Sequence, residues 1–253
     1  MFNNISRYLL GKLNTRSEVL KRVSRHGHAL ADCDPIFKGD IEVALTAVRQ
    51  TGFALEHVAP SLRSSKIVVT AAVCNDGRAL EFASAELRAD QEYVSELVAH
   101  SPNCLEFVSK DLKANHAIVR RAMSKWGEAL QYAERSLKKD KVFLIGCFHI
   151  APVGEWICHV DPVLRADRDF ILAAAYSDGT SLAYASEEFK VDRDIVLAAV
   201  KQYGESLGYA HDSMKRDREI TFAAVRNTAS AIDYVPRDVA WYDQLEELDR
   251  RYK

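Results

Sequence analysis

A segment of 25 residues recurs along this chain, and that period constrains the fold more than any other feature of the sequence. Blocks open at Thr15, Asp40, Ser65, Asp90, Asn115, Asp140, Asp167, Asp192 and Asp217. The spacing is 25 residues throughout, except for 27 between Asp140 and Asp167. The sixth block, 140–166, therefore carries a two-residue insertion. Every opening residue is Asp, Ser, Thr or Asn, whose side chain can accept a hydrogen bond from the free N–H groups of a first helical turn. Acids often follow two positions later, at Glu42, Glu92, Asp169, Asp194 and Glu219, where they complement the positive end of a helix.

The pattern after each cap predicts a helix of about eleven residues. In six blocks a glycine stands twelve positions after the opening residue: Gly27, Gly52, Gly77, Gly127, Gly179 and Gly204. A glycine there is expected to end the helix in the left-handed conformation. A second segment follows, as in Ala129-Leu130-Gln131-Tyr132-Ala133, and its apolar spacing is helical, without strand alternation. The first helix is apolar over most of its circumference, as in Ile195 to Val200, and is expected to be buried on more than one side. One helix pair cannot bury that surface, so neighbouring blocks must cover it. The expected fold is an all-α solenoid of about nine two-helix repeats over 15–240. Capping segments are expected over 1–14 and, as a helix, over 241–253.

The consensus D-R-E-I-V-L-A-A-V-x-Q-x-G-x-x-L-x-Y-A-S-x-E-L resembles the repeats of a family designated DUF4116, a domain of unknown function. Asp192-Arg193-Asp194-Ile195-Val196-Leu197-Ala198-Ala199-Val200, Gly204 and Tyr209-Ala210 carry the likeness best. Gln50, Gly52, Ala83-Ser84 and Glu86-Leu87 carry it in the second and third blocks. The resemblance implies tandem helical repeats and brings no catalytic residues with it. Blocks one, four and six depart from the pattern.

Charge and cysteine usage narrow the function. A net charge of −2 gives no global drive toward nucleic acid or anionic lipid. Basic residues cluster within 1–28 (Arg7, Lys12, Arg16, Lys21, Arg22 and Arg25 against Glu18), as a polar terminal cap or a basic docking end. Five scattered cysteines suit reduced thiols and a cytoplasmic location. No apolar run approaches 18 residues, so no membrane association is expected.

Departures from the consensus are where function is sought. At the fifth and sixth helix positions most blocks are apolar or small, but blocks four and five carry Ser95-Glu96 and Arg120-Arg121, followed by Lys125 and Trp126. One reading is an ion pair between Glu96 and Arg120 or Arg121, or a solvent face. The other is a partner-binding patch, since Arg and Trp are enriched at binding hot spots. In block six the glycine stop gives way to Ala151-Pro152-Val153-Gly154, and Trp156 stands where other blocks have Ala or Ser. Trp156 either fills a widened gap or points outward as a contact. Cys147, His149, Cys158, His159 and Asp161 suggest zinc only weakly, because the first pair is C-x-H with no familiar finger spacing after it. No cofactor, metal or catalytic residue is expected.

These features favour a non-enzymatic scaffold that holds, masks or inhibits a partner protein, a role suited to a bacterial effector or a phage-encoded inhibitor. Candidate contacts are Glu96, Arg120, Arg121, Lys125, Trp126 and Trp156. The alternative is nucleic-acid binding. It is disfavoured because basic residues on the relevant ridge sit at its ends (Arg25, Arg49, Lys201, Arg226), with Cys74, Ala99 and Ser124 between them.

Overall fold

The computed structural model describes residues 15–252. The fold is all-α, built of tandem helical repeats, with no strand among the described residues. The segment 1–14, expected to cap the array, lies outside the described residues. The chain forms two compact units, one up to Lys125 and one from Trp126 onward.

The first helix of each block is numbered in chain order. The first unit holds α1 (Arg16–Val23), α2 (Ile41–Gln50), α3 (Lys66–Asn75), α4 (Gln91–His100) and α5 (His116–Met123). The second holds α6 (Lys141–Ile145), α7 (Arg168–Ser177), α8 (Arg193–Gln202) and α9 (Arg218–Asn227), then α10 (Tyr242–Tyr252). Every predicted opening residue is the N-cap of its helix. All except Ser65 accept a backbone N–H through the side chain. Leu245 of α10 is fully buried, and α10 packs against α9.

The capping acids also link blocks. Arg16 donates to Asp40 at 2.6 Å and to Glu42 at 2.5 Å. Arg168 reaches Asp192 at 2.6 Å and Asp194 at 2.8 Å, and Arg193 repeats the pattern on Asp217 and Glu219. Lysines do the same from Lys66 to Asp90 and from Lys141 to Asp167. The acid two positions after the cap therefore serves a neighbouring block as well as its own helix end. The pairs are at least partly exposed, so each is worth little individually and fixes register more than it stabilises.

The glycines act differently from expectation. No described residue has a positive φ, so none of them is a left-handed stop. Where a glycine follows a ten-residue helix, that helix ends in one extended residue and the glycine then begins a six-residue 3-10 helix, such as Gly52–His57 or Gly204–Tyr209. Glycine is required by close approach. A Cβ on Gly52 would lie 2.6 Å from the Ala72 carbonyl of the next block, and one on Gly27, Gly179 or Gly204 would be crowded still more by Ala47, Ala199 or Ala224. One amide seals the junction. Asn227 accepts from the Gly204 N–H at 2.7 Å and donates to the Lys201 carbonyl at 2.9 Å; Asn75 does the same for Gly52 and Arg49. The free N–H of one helix start and the free C=O of one helix end are satisfied together.

The second helix is also shorter than expected. After the 3-10 turn the chain runs extended for two residues and then makes one α-turn, such as Pro60–Arg63, or only turns and 3-10 structure, as at Met214–Arg216. The extended residues bond backbone to backbone with the preceding block, as in Ala59 N–H to Lys38 O at 2.9 Å and His211 N–H to Lys190 O at 3.0 Å. That exchange interrupts a continuous helix. Burial follows a fixed register: Ile195, Val196, Ala199 and Val200 are fully buried in α8, whereas Leu197 is only half-buried. The helix therefore presents a half-buried ridge where an apolar circumference was expected.

Candidate functional site

In the first unit, the unusual residues of blocks four and five lie at the surface. Glu96, Arg120, Arg121 and Lys125 are exposed. Arg120 and Arg121 fall in the last turn of α5, which stops at Met123 and is shorter than the regular helices. Positive charge there complements the helix C-terminus, an immediate structural reason for both. Glu96 stands on the rim of an open groove of about 580 Å³ along α3 and α4, with Lys66, Thr70, Cys74 and Tyr93. Several of the groove's polar groups are already engaged. The Tyr93 hydroxyl donates to the Lys66 carbonyl at 3.2 Å and lies 3.0 Å from Thr70 Oγ1, and Lys66 pairs with Asp90 at 2.7 Å. Burial pushes the Tyr93 phenol up to about 12.

In the second unit, Trp126 is half-buried at the N-cap of the 3-10 helix Gly127–Tyr132, its ring tilted against Tyr132 at 6.0 Å. Trp156 has to be removed from the contact residues, because it is fully buried. Its ring packs on Phe148 at 5.7 Å, and its Nε1 donates to Ala151 O at 3.4 Å. The inserted residues let α6 end early at Ile145, and the indole fills the space that the broken helix leaves.

The turn above that core borders an open cleft of about 690 Å³. Residues 148–155 form one wall and Ser177–Thr180 the other, with Gln202 and Tyr203 on the rim. Asp178 holds the walls together. Its carboxylate accepts from Gly154 N–H at 2.9 Å and from the Thr180 N–H and hydroxyl at 2.9 and 2.7 Å. His149 and Glu155 are exposed at the margin. The cleft is open and of mixed character: carboxylate, imidazole, phenol and backbone groups stand beside apolar side chains.

The residues considered for zinc are dispersed. Cys147 is fully buried, while Cys158 is exposed. His159 is biased toward its neutral form by burial and by Lys138. Asp161 caps the turn Pro162–Arg165 and pairs with Arg135 at 3.2 Å. Among the described residues no three His, Cys, Asp or Glu side chains are placed to hold a metal ion.

The second unit also exposes tyrosines at the repeat period. Tyr184, Tyr209 and Tyr234 close successive 3-10 helices at the 25-residue period, and all are exposed, at 41%, 47% and 42%. The Tyr203 hydroxyl donates to Glu205 at 2.5 Å, and Ser230 Oγ donates to the other oxygen of Glu205 at 2.5 Å. Those two donors, Ser230 first, pull the Glu205 carboxyl below its usual range. Sequence reasoning named none of these tyrosines as a contact and missed this row. Its signal was the strict recurrence of tyrosine itself over the last three blocks.

Four tandem segments, 16–63, 65–113, 153–190 and 192–239, match the model of the family described as a domain of unknown function (DUF4116), covering well over half of the chain. No curated protein and no solved structure matches it. Among the described residues no helix is long and apolar enough to cross a membrane.

Proposed function

We propose that this chain, which belongs to the DUF4116 family, is a protein-binding scaffold of the cytoplasm that holds, masks or inhibits a partner protein by contact and not by catalysis. The observation that supports this most is the row of exposed tyrosines at the repeat period. Tyrosine offers large rigid contact area at low entropic cost and is enriched in the cores of interfaces. A tandem array brings such residues into register without a dedicated site. Glu96, Arg120, Arg121 and Lys125 of the first unit, and Trp126 of the second, are proposed as further contacts; Trp156 is not.

Partner capture from native lysate, with nuclease present, tests the reading. The wild type should retain a specific protein, and Tyr184→Ala/Tyr209→Ala should lose it while keeping its helical signal. Material that disappears on nuclease treatment would replace this reading with nucleic-acid binding. Capture of nothing specific would overturn it.

A further inference from the structure

Most acids of the last blocks have a cationic partner. Asp192, Asp194, Asp217 and Glu219 pair with arginines of the ladder, Glu187 and Asp212 with lysines three residues on, and Asp238 with Arg216. Glu205 differs. Its hydrogen-bond partners among the described residues are two hydroxyls, from Tyr203 and Ser230, which orient the carboxylate and leave its charge uncompensated. Three exposed tyrosines share its turn and the next one. Tyr203 is the N-cap of the 3-10 helix Gly204–Tyr209 that carries Glu205, Tyr209 closes that helix, and Tyr234 closes the 3-10 helix Ala229–Tyr234 packed against it. Tyr234 lies tight against Gly208, where a Cβ would come within 2.9 Å of its ring, so the small residue permits the ring's approach. The rest of that ring remains open to solvent.

We propose that Tyr203, Glu205, Tyr209 and Tyr234 form a receptor for an arginine side chain presented by the partner protein, an inference that rests on the scaffold reading. A planar guanidinium stacks on aromatic faces and offers a fork of donors to a carboxylate, and the cluster supplies both. Lysine, a compact and strongly hydrated charge, uses the rings less well. The surrounding charge agrees. From Trp126 onward the chain has seventeen Lys and Arg against twenty-two Asp and Glu; up to Lys125 it has seventeen against fourteen. The second unit therefore attracts a basic partner and the first does not.

The probe is the peptide acetyl-Gly-Ser-Arg-Ser-Gly-amide, titrated into the full chain at low salt and followed by amide NMR shifts. Its citrulline and lysine analogues run beside it. The arginine peptide should shift signals at 203–209 and 230–234 saturably. Citrulline should give no saturation, and lysine should bind several-fold more weakly. Glu205→Gln should weaken binding about tenfold or more, because a charge-assisted pair is lost. Tyr209→Ala should weaken it about fivefold, and Tyr209→Phe, which keeps the ring, should bind nearly as the wild type does. No saturable shift, equal binding of citrulline, or unchanged affinity in Glu205→Gln and Tyr209→Ala would overturn the proposal. Failure here with partner capture intact would leave the scaffold reading standing. Saturable arginine binding without capture would leave this receptor and remove the scaffold.

Discussion

The block that opens at Asp192 and the block that opens at Asp140 begin with the same cap and turn their chains in different ways. In the first, α8 runs ten residues, one extended residue follows, and Gly204 is pressed against the Ala224 backbone with Asn227 sealing the joint. In the second, α6 runs five residues, an irregular turn follows, and Gly154 faces the Thr180 side chain instead of a backbone carbonyl. The sealing group moves one residue along, to Asp178 just past the helix end. Close backbone contact thus closes the joint at Gly204. At Gly154, where side chains replace that contact, a buried indole fills the core and a cleft opens above it.

The largest effect that tests this contrast lies in the irregular block. Trp156→Ala should cost roughly 3–5 kcal/mol, read by urea unfolding, because a large enclosed volume empties. A cost below about 1 kcal/mol would mean that the cleft collapses into the space. In the regular block, Val196→Asp should cost about 3 kcal/mol or more by burying an unpaired charge, and Leu197→Asp on the half-buried ridge should cost clearly less. Equal losses would refute the register given for α8. Asn227→Ala should cost about 1–2 kcal/mol, since it removes both hydrogen bonds of the seal.

The smallest effect is in acid. The carboxyls of Asp192, beside Arg168, and Asp167, beside Lys141, lie below the usual range, and Arg16 holds that of Asp40 at about 2. A carboxyl depressed on folding stabilises above its unfolded value, near 4, and that contribution is lost as pH falls through the folded value. Urea midpoints should therefore decline from about pH 4 toward pH 2, with a shallower decline in Arg168→Gln. An identical decline in that variant would show that the ladder contributes nothing.

What could be read from the sequence follows the range of each interaction. Caps such as Asp192 are satisfied within three residues of themselves, so their residue type declares them. The constraint on Gly204 comes from Ala224, in another block, so the glycine was visible and its reason was not. A six-residue segment does not distinguish a 3-10 turn from α-helix by spacing, which hid the backbone exchange such as that between His211 and Lys190. Trp156 showed that block six differs, but its burial depends on how early α6 ends. Arg120 and Arg121 showed up as departures in sequence, and the short α5 gives them a local role at its C-terminus.

The most direct test of the account substitutes alanine at two glycines and measures urea unfolding of both variants. Gly204→Ala drives a methyl into a backbone carbonyl and should lose about 1–3 kcal/mol. Gly154→Ala meets a side chain that can turn away, and should lose less than about 1 kcal/mol. Equal losses, or a larger loss at Gly154, would contradict the claim that a backbone carbonyl constrains Gly204 where a side chain constrains Gly154.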